Sequence, residues 1–100
     1  MTGKIIWSSS AKKSFDNLVS FLESKWKKKV IEKLFSELDN ALKSIAKNPE
    51  MYPAISSNKK EVRKCIIRKK TLLLYRIKSK NVIELAIFAD TRQNPKKYKI

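Results

Sequence analysis

Residues 83–98 decide the fold, because the apolar run Ile83-Glu84-Leu85-Ala86-Ile87-Phe88-Ala89-Asp90 leads directly into Thr91-Arg92-Gln93-Asn94-Pro95-Lys96-Lys97-Tyr98. The first half is rich in residues that favour pleated structure, and it predicts a strand. The second half is cationic and contains a tyrosine. The sequence therefore predicts a sheet whose last strand leads into a candidate phosphate-binding tail.

Alternation along this last strand predicts which side chains meet the helices, because successive residues of a strand point to opposite faces. The helix-facing set is Ile83, Leu85, Ile87 and Ala89. The opposite set is Val82, Glu84, Ala86, Phe88 and Asp90. We expect that second face to be open and available to a polyanion, since residues 48–100 are the more basic half of the chain.

Upstream, the sequence predicts one strand and two helices. Lys4–Trp7 is a short run of β-formers, and Ser8-Ser9-Ser10 after it offers a helix N-cap. Apolar residues at helical spacing predict a first helix over residues 10–24. A second apolar stripe follows Trp26-Lys27-Lys28-Lys29 and ends at Asn48-Pro49, where Asn tolerates a left-handed cap and Pro cannot extend the helix. Together the two stripes predict a helical hairpin.

Three strands complete the predicted fold, over Val62–Arg68, Leu72–Ile77 and Val82–Ala89. Lys69-Lys70 and Ser79-Lys80-Asn81 are short enough to be hairpin turns. The predicted class is α+β with the element order β-α-α-β-β-β, in which a helical hairpin packs on one face of a small, mostly antiparallel sheet. A chain of 100 residues predicts a single domain over residues 1–100.

The charge of the chain restricts its partners and its chemistry. There are 24 Lys and Arg against 9 Asp and Glu. The net charge of +15 favours a polyanionic partner, which is nucleic acid, an acidic protein or an anionic membrane surface. There is no His, so a Ser-His-Asp or Cys-His site is impossible, and an enzyme of this sequence would use Lys, Arg, Tyr or carboxylates. We predict no cofactor and no metal.

Cys65 is the single cysteine, which excludes an internal disulfide, and its neighbours Ile66 and Ile67 predict a buried, inert thiol. No apolar run near the N-terminus is long enough for a signal peptide or a membrane span. We therefore expect a cytoplasmic protein that does not bind a membrane.

Four arginines are predicted to lie on strands or at strand ends, namely Arg63, Arg68, Arg76 and Arg92. A guanidinium presents a planar fork to phosphate oxygens and stays charged, so such a set could stabilise the charge that develops during phosphodiester cleavage. The simpler interpretation of Arg76 is a cross-strand pair with Glu84. Tyr98 could deprotonate a ribose 2′-OH, stack on a base, or simply pack over the sheet edge.

Lys59-Lys60 lie before the second strand, where neighbouring cations favour loss of a proton and a role as a base. Their simpler interpretation is a solvated pair. Tyr75, Trp7 and Trp26 are interpreted as packing residues.

The element order, the strand Leu74-Tyr75-Arg76-Ile77 and the segment Asp90-Thr91-Arg92-Gln93-Asn94-Pro95 resemble the RelE/ParE toxin family over nearly the whole chain. The resemblance implies a toxin of a bacterial type II toxin–antitoxin system that a cognate antitoxin holds inactive. RelE-like members cleave mRNA on the ribosome without metal, through attack by the 2′-OH. ParE-like members inhibit DNA gyrase by binding, and this alternative remains open at this point.

The RelE-type catalytic set of Lys, Arg and Tyr matches this chain in part. The resemblance implies catalytic roles for Arg68, Arg92, Tyr98, Lys59 and Lys60, although Glu61 stands where a second loop lysine would fall. We further predict RNA-binding roles for Arg63, Arg76, Lys96 and Lys97, although an arginine early in the second strand, the long helical hairpin and the Arg92-Gln93-Asn94-Pro95 run are features shared with ParE-like members. The expected partners are the antitoxin and either the ribosome with mRNA or DNA gyrase. We expect the antitoxin to cover the helical hairpin or the open sheet face.

Overall fold

The computed structural model describes residues 3–55, 62–79 and 82–91. The element order β-α-α-β-β-β is confirmed. The elements are β1 (Lys4–Trp7), α1 (Ser9–Lys25), α2 (Lys28–Lys47), β2 (Val62–Ile67), β3 (Thr71–Ser79) and β4 (Val82–Asp90).

The four strands form one mixed sheet in the order β1-β4-β3-β2. β4 pairs antiparallel with β3, and β3 pairs antiparallel with β2, as expected for strands joined by hairpins. β1 runs parallel to β4, because the chain crosses from β1 through both helices before the hairpins begin. The predicted α+β class, with helices against a mostly antiparallel sheet, is confirmed.

Capping groups fix the ends of the helices. The Ser8 side-chain oxygen accepts a hydrogen bond from the Ala11 N–H at 2.9 Å, so the first of the three serines caps α1. α2 ends at Asn48, whose N–H donates to the Ser44 carbonyl, but the φ of Asn48 is −142°. The expectation of a left-handed cap is therefore wrong, since this residue leaves the helix with extended φ.

The main core lies between the helical hairpin and one sheet face. Its fully buried members include Leu73, Tyr75, Ile83 and Leu85 from the sheet and Ile45 from α2. Trp7 stacks on Phe88 with ring centroids 5.2 Å apart and meets Phe15 edge-on at 5.3 Å. Trp7 is thus a packing residue, as predicted.

A bulge in β4 reverses the predicted faces of its second half. Leu74 pairs with Ile87 but Tyr75 pairs with Leu85, so Ala86 is an extra residue on β4. After it, Phe88 and Asp90 point to the helices, whereas Ile87 and Ala89 point away. The prediction was right for Ile83 and Leu85 and wrong beyond the bulge, because one inserted residue shifts the alternation by one step.

The face opposite the helices is not open. It carries a second buried cluster made of Val62, Leu72, Leu74, Ala86 and Ala89. Leu72 and Leu74 are each 4% exposed, so the expectation of a bare sheet face for a polyanion is wrong. Among the residues that the structure describes, neither helix is long and apolar enough to cross a membrane.

The β2–β3 turn is formed by Arg68, Lys69 and Lys70, and β2 ends one residue earlier than predicted. The Lys70 N–H donates to the Ile67 carbonyl at 3.3 Å and closes the turn. Arg68 and Lys69 have φ values of 55° and 64°, the left-handed region that primed hairpin turns require. Neither residue is glycine, so the turn places two cations in a conformation that costs about 1–2 kcal/mol per residue.

Candidate functional site

A groove opens where the helical hairpin meets the β2–β3 turn, and we call it the turn groove. Its cavity volume is about 190 Å³. Aliphatic and aromatic residues of the two helices form one side, and polar residues of the turn and the end of β4 form the other. The lining residues are Leu22, Trp26, Val30, Leu34, Arg68, Lys70, Thr71 and Asp90.

Two cations lie at the rim of the turn groove. The Lys70 ammonium lies 5.2 Å from the centre of the Trp26 ring, a cation–π contact. The Arg68 guanidinium pairs with the Glu37 carboxylate of α2 at 3.3 Å, and both side chains are more than a third exposed, at 35% for Arg68 and 46% for Glu37. Exposed pairs of this kind contribute little, so a phosphate or another carboxylate could replace Glu37.

Thr91, the residue after β4, is hydrogen-bonded to the same turn. The Thr91 N–H donates to the Lys70 carbonyl at 2.7 Å, and the Thr91 hydroxyl donates to the Lys69 carbonyl at 3.2 Å. Thr91 directly precedes Arg92 in the sequence. Thr91 therefore lies against the β2–β3 turn that contains Arg68.

The structure does not bring the three described arginines of the predicted site together. Arg63 pairs with Tyr75 in the sheet register and lies on the helix side, whereas Arg76 pairs with Glu84 on the opposite face. Arg68 lies in the turn at the far end of β2. Alternation along β2 and β3 separates them, so one phosphate could not contact all three.

Arg63 holds a loop. Its Nη1 donates to the Tyr52 carbonyl at 2.6 Å and to the Glu50 carbonyl at 3.3 Å. The Tyr75 hydroxyl donates to the Pro49 carbonyl of the same loop at 2.7 Å. These contacts link the end of α2 to β2 and β3, which indicates a positioning role for Arg63 in the fold.

Arg76 makes the cross-strand pair that is the simpler interpretation of this residue. Its guanidinium lies 3.4 Å from a Glu84 oxygen, and Lys78 approaches the other oxygen at 3.8 Å. Both Arg76 and Glu84 are mostly buried. The prediction of an Arg76–Glu84 pair is confirmed, and the RNA-binding role of Arg76 stays a prediction.

The other predicted site residues lie outside the described residues. They are the catalytic candidates Lys59, Lys60, Arg92 and Tyr98 and the RNA-binding candidates Lys96 and Lys97. Their roles stay predictions.

The buried phenol and thiol groups near Arg63 are not poised for chemistry. Burial raises the pKa of Tyr75 to about 12. The prediction that Cys65 is buried is confirmed, and this burial raises the pKa of its thiol. That the thiol is inert stays a prediction. The described residues contain no group of three or more His, Cys, Asp or Glu side chains that could hold a metal ion.

Two groove residues were missed by the sequence reasoning. Trp26 is 40% exposed and lines the turn groove, whereas the sequence analysis interprets it as a packing residue. Its place between two helices, next to three lysines, was the available signal. Asp90 is 2% exposed and lies on the helix side, which the predicted alternation did not allow.

The fold and a family match identify the class of protein. A helical hairpin on a four-stranded mixed sheet, in the order β-α-α-β-β-β, is the architecture of the RelE/ParE superfamily of toxins. A family model described as the ParE toxin of the type II toxin–antitoxin system, parDE, matches residues 5–95, and the chain belongs to this family. Membership implies a cognate antitoxin as partner. No curated protein is similar enough to the chain to count as a match.

Proposed function

We propose that this toxin is a ribosome-dependent mRNA endonuclease that its antitoxin holds inactive. The observation that supports the proposal is the position of Arg68. Its guanidinium is accessible and pairs with the half-exposed Glu37. It also lies in the turn that binds Thr91, the residue before Arg92. Because Arg92 follows Thr91 in the sequence, we expect Arg68 and Arg92 to contact the same phosphate.

The chemistry needs no metal. The 2′-oxygen attacks the adjacent phosphorus, the bond from phosphorus to the 5′-oxygen breaks, and the products are a 2′,3′-cyclic phosphate and a 5′-hydroxyl. Tyr98 or a lysine of the Lys59-Lys60 pair takes the 2′-OH proton, and a protonated side chain or water supplies one to the leaving oxygen. Arg68 and Arg92 stabilise the extra negative charge on the phosphorane.

The test is translation of a reporter mRNA in a cell-free bacterial system with added toxin, followed by primer extension. We expect new 5′ ends within the coding region only when ribosomes are present. The Arg68→Ala variant should lower the cleavage rate about 100-fold, the usual effect of removing one charge-stabilising group. Lys12→Ala, an exposed lysine on α1, should leave the rate unchanged.

The double variant Arg92→Ala with Tyr98→Phe tests the tail in the same assay. Abolished cleavage is the expected result, and full cleavage would overturn the assignment of both residues. An intact transcript with the wild-type toxin would overturn the endonuclease proposal. A supercoiling assay would then test the alternative, a toxin that inhibits DNA gyrase by binding.

A further inference from the structure

The helix side of the turn groove is an apolar surface that reaches solvent. Leu22 and Leu34 are buried at its base and Val30 is partly exposed. Trp26, at the joint of the two helices, keeps 40% of its surface exposed. An exposed indole beside aliphatic side chains in a concave site is typical of a surface that another molecule covers.

The rim of the turn groove is cationic. Arg68 and Lys70 lie on the turn side, and Lys27, Lys28 and Lys29 are exposed beside Trp26, where the first turn of α2 contains no acidic residue. A carboxylate is already seated against Arg68, because Glu37 pairs with it at 3.3 Å. The Arg68–Glu37 pair therefore shows that a carboxylate can bind at the rim.

The base of the groove is apolar and suits an apolar side chain. Leu22 and Leu34 are 7% and 3% exposed there, and Asp90, which also lines the groove, is 2% exposed. The volume of about 190 Å³ exceeds the roughly 150 Å³ of an apolar cavity that accepts benzene, so one Leu, Met or Phe side chain fits.

We propose that the turn groove receives one apolar side chain of an acidic helical segment of the antitoxin, whose carboxylates pair with Arg68 and Lys70. The mode is a helix docked in a groove, with the apolar anchor against Trp26 and the acidic residues over the cationic rim. An antitoxin carboxylate bound to Arg68 would keep this proposed catalytic residue from binding RNA. That inhibitory effect rests on the proposed function. The docking surface itself stands on the groove alone.

The experiment measures fluorescence anisotropy of four labelled helical peptides titrated with the full chain. The peptides share a glutamate-rich polar face and differ only in the central residue, which is Leu, Met, Phe or Trp. We expect at least one to bind, and we expect its Ala-centred version to bind about tenfold more weakly or worse. If none of the four binds, the proposal is overturned.

Matched variants locate the binding site. Trp26→Ala should weaken binding about tenfold, while Phe35→Ala, which removes an aromatic ring of similar exposure (43%) outside the groove, should change it less than twofold. Lys70→Glu should also weaken binding, and Lys12→Glu should match wild type apart from the smaller net charge. Lys12 lies ten residues from Leu22 on α1, which is about 15 Å along the helix.

Equal effects of Trp26→Ala and Phe35→Ala would overturn the proposal. So would a single-stranded RNA oligonucleotide that displaces the peptide and loses its own binding in Trp26→Ala, because the groove would then be a nucleic-acid site. The readout involves no RNA cleavage. If the toxin binds the peptide but leaves mRNA intact, the docking proposal is supported and only the proposed endonuclease activity is refuted.

Discussion

The three described arginines of the predicted site have different roles because their surroundings differ. The Arg63 guanidinium is occupied by two backbone carbonyls of the loop after α2, and the partly buried Arg76 is paired with Glu84. Arg68 pairs with an exposed carboxylate, that of Glu37. Exposed pairs contribute about 0–1 kcal/mol, whereas charged groups bonded in partly buried sites are costly to displace. Arg68 is therefore the described arginine best suited to bind a ligand.

Tyr75 gives a prediction for alkaline pH. Burial raises its pKa to about 12 in the folded protein, against about 10 in an unfolded chain. The folded state thus holds the proton more tightly. The resulting stability is fully present below pH 10, falls as the pH rises above 10, and is lost by about pH 12, which amounts to about 2–3 kcal/mol.

The measurement is urea unfolding of wild type and Tyr75→Phe at about pH 9 and about pH 11.5. Lysine deprotonation affects both proteins equally, so the difference between them isolates Tyr75. Wild type should lose about 2 kcal/mol more than the variant over this range. Parallel losses in the two proteins would contradict a buried, protonated Tyr75.

At the scale of elements, the start of α1 depends on one serine of three. The Ser8 hydroxyl accepts from the Ala11 N–H and donates to the Ala86 carbonyl at 3.1 Å, so it joins the helix to β4. Ser8→Ala should lower the free energy of unfolding by about 1–2 kcal/mol. Ser9→Ala, at an exposed position in the first turn, should lower it by less than about 0.5 kcal/mol. Equal losses in urea unfolding would refute this assignment of the cap.

The β2–β3 turn predicts a stabilising substitution. Lys69 has a φ of 64°, which glycine adopts without the clash that a Cβ atom causes. Lys69→Gly should raise the free energy of unfolding by about 0.5–1 kcal/mol, less than the full relief because glycine gains entropy in the unfolded chain. Lys70→Gly, where φ is not positive, should lower it. A loss of stability in Lys69→Gly, measured by thermal unfolding, would show that the turn is not strained.

Local patterns were enough to predict the elements but not the features that depend on pairing between strands. The apolar stripes and Ser8 gave the helices, since capping and periodicity are properties of neighbouring residues. The extra residue at Ala86 arises only when β4 pairs with β3, and it carried Phe88 and Asp90 to the other face. Alternation alone could not reveal a bulge.

The same limit applies to the candidate site. Arg68 was identified from its place at the end of a basic strand, but its left-handed backbone and its neighbour Trp26 depend on how the hairpins pack together. The groove joins residues more than sixty positions apart in the chain, from Leu22 to Asp90. Such a site has no signature in a local stretch of sequence.

At the scale of the whole molecule, β1 closes the fold. It pairs with β4, more than seventy residues later, and the Gly3 N–H donates to the Ala46 carbonyl at the end of α2. Contacts of such long separation form late or slowly, because the intervening chain must first be ordered. The Trp7 side chain of β1 contacts Phe15 of α1 and Phe88 of β4 and so joins three elements at this place.

Two tryptophans in one chain allow a direct comparison of a packing role with a surface role. Trp7→Ala should lower the free energy of unfolding by about 2–3 kcal/mol, somewhat below the 3–5 kcal/mol of fully buried aromatic residues because Trp7 is only partly buried. Trp26→Ala should lower it less, by about 1 kcal/mol, since 40% of Trp26 is exposed. Urea unfolding of both variants measures the difference. If Trp26→Ala costs as much as Trp7→Ala, Trp26 supports the fold rather than a partner, and the turn groove loses its main evidence for a docking role.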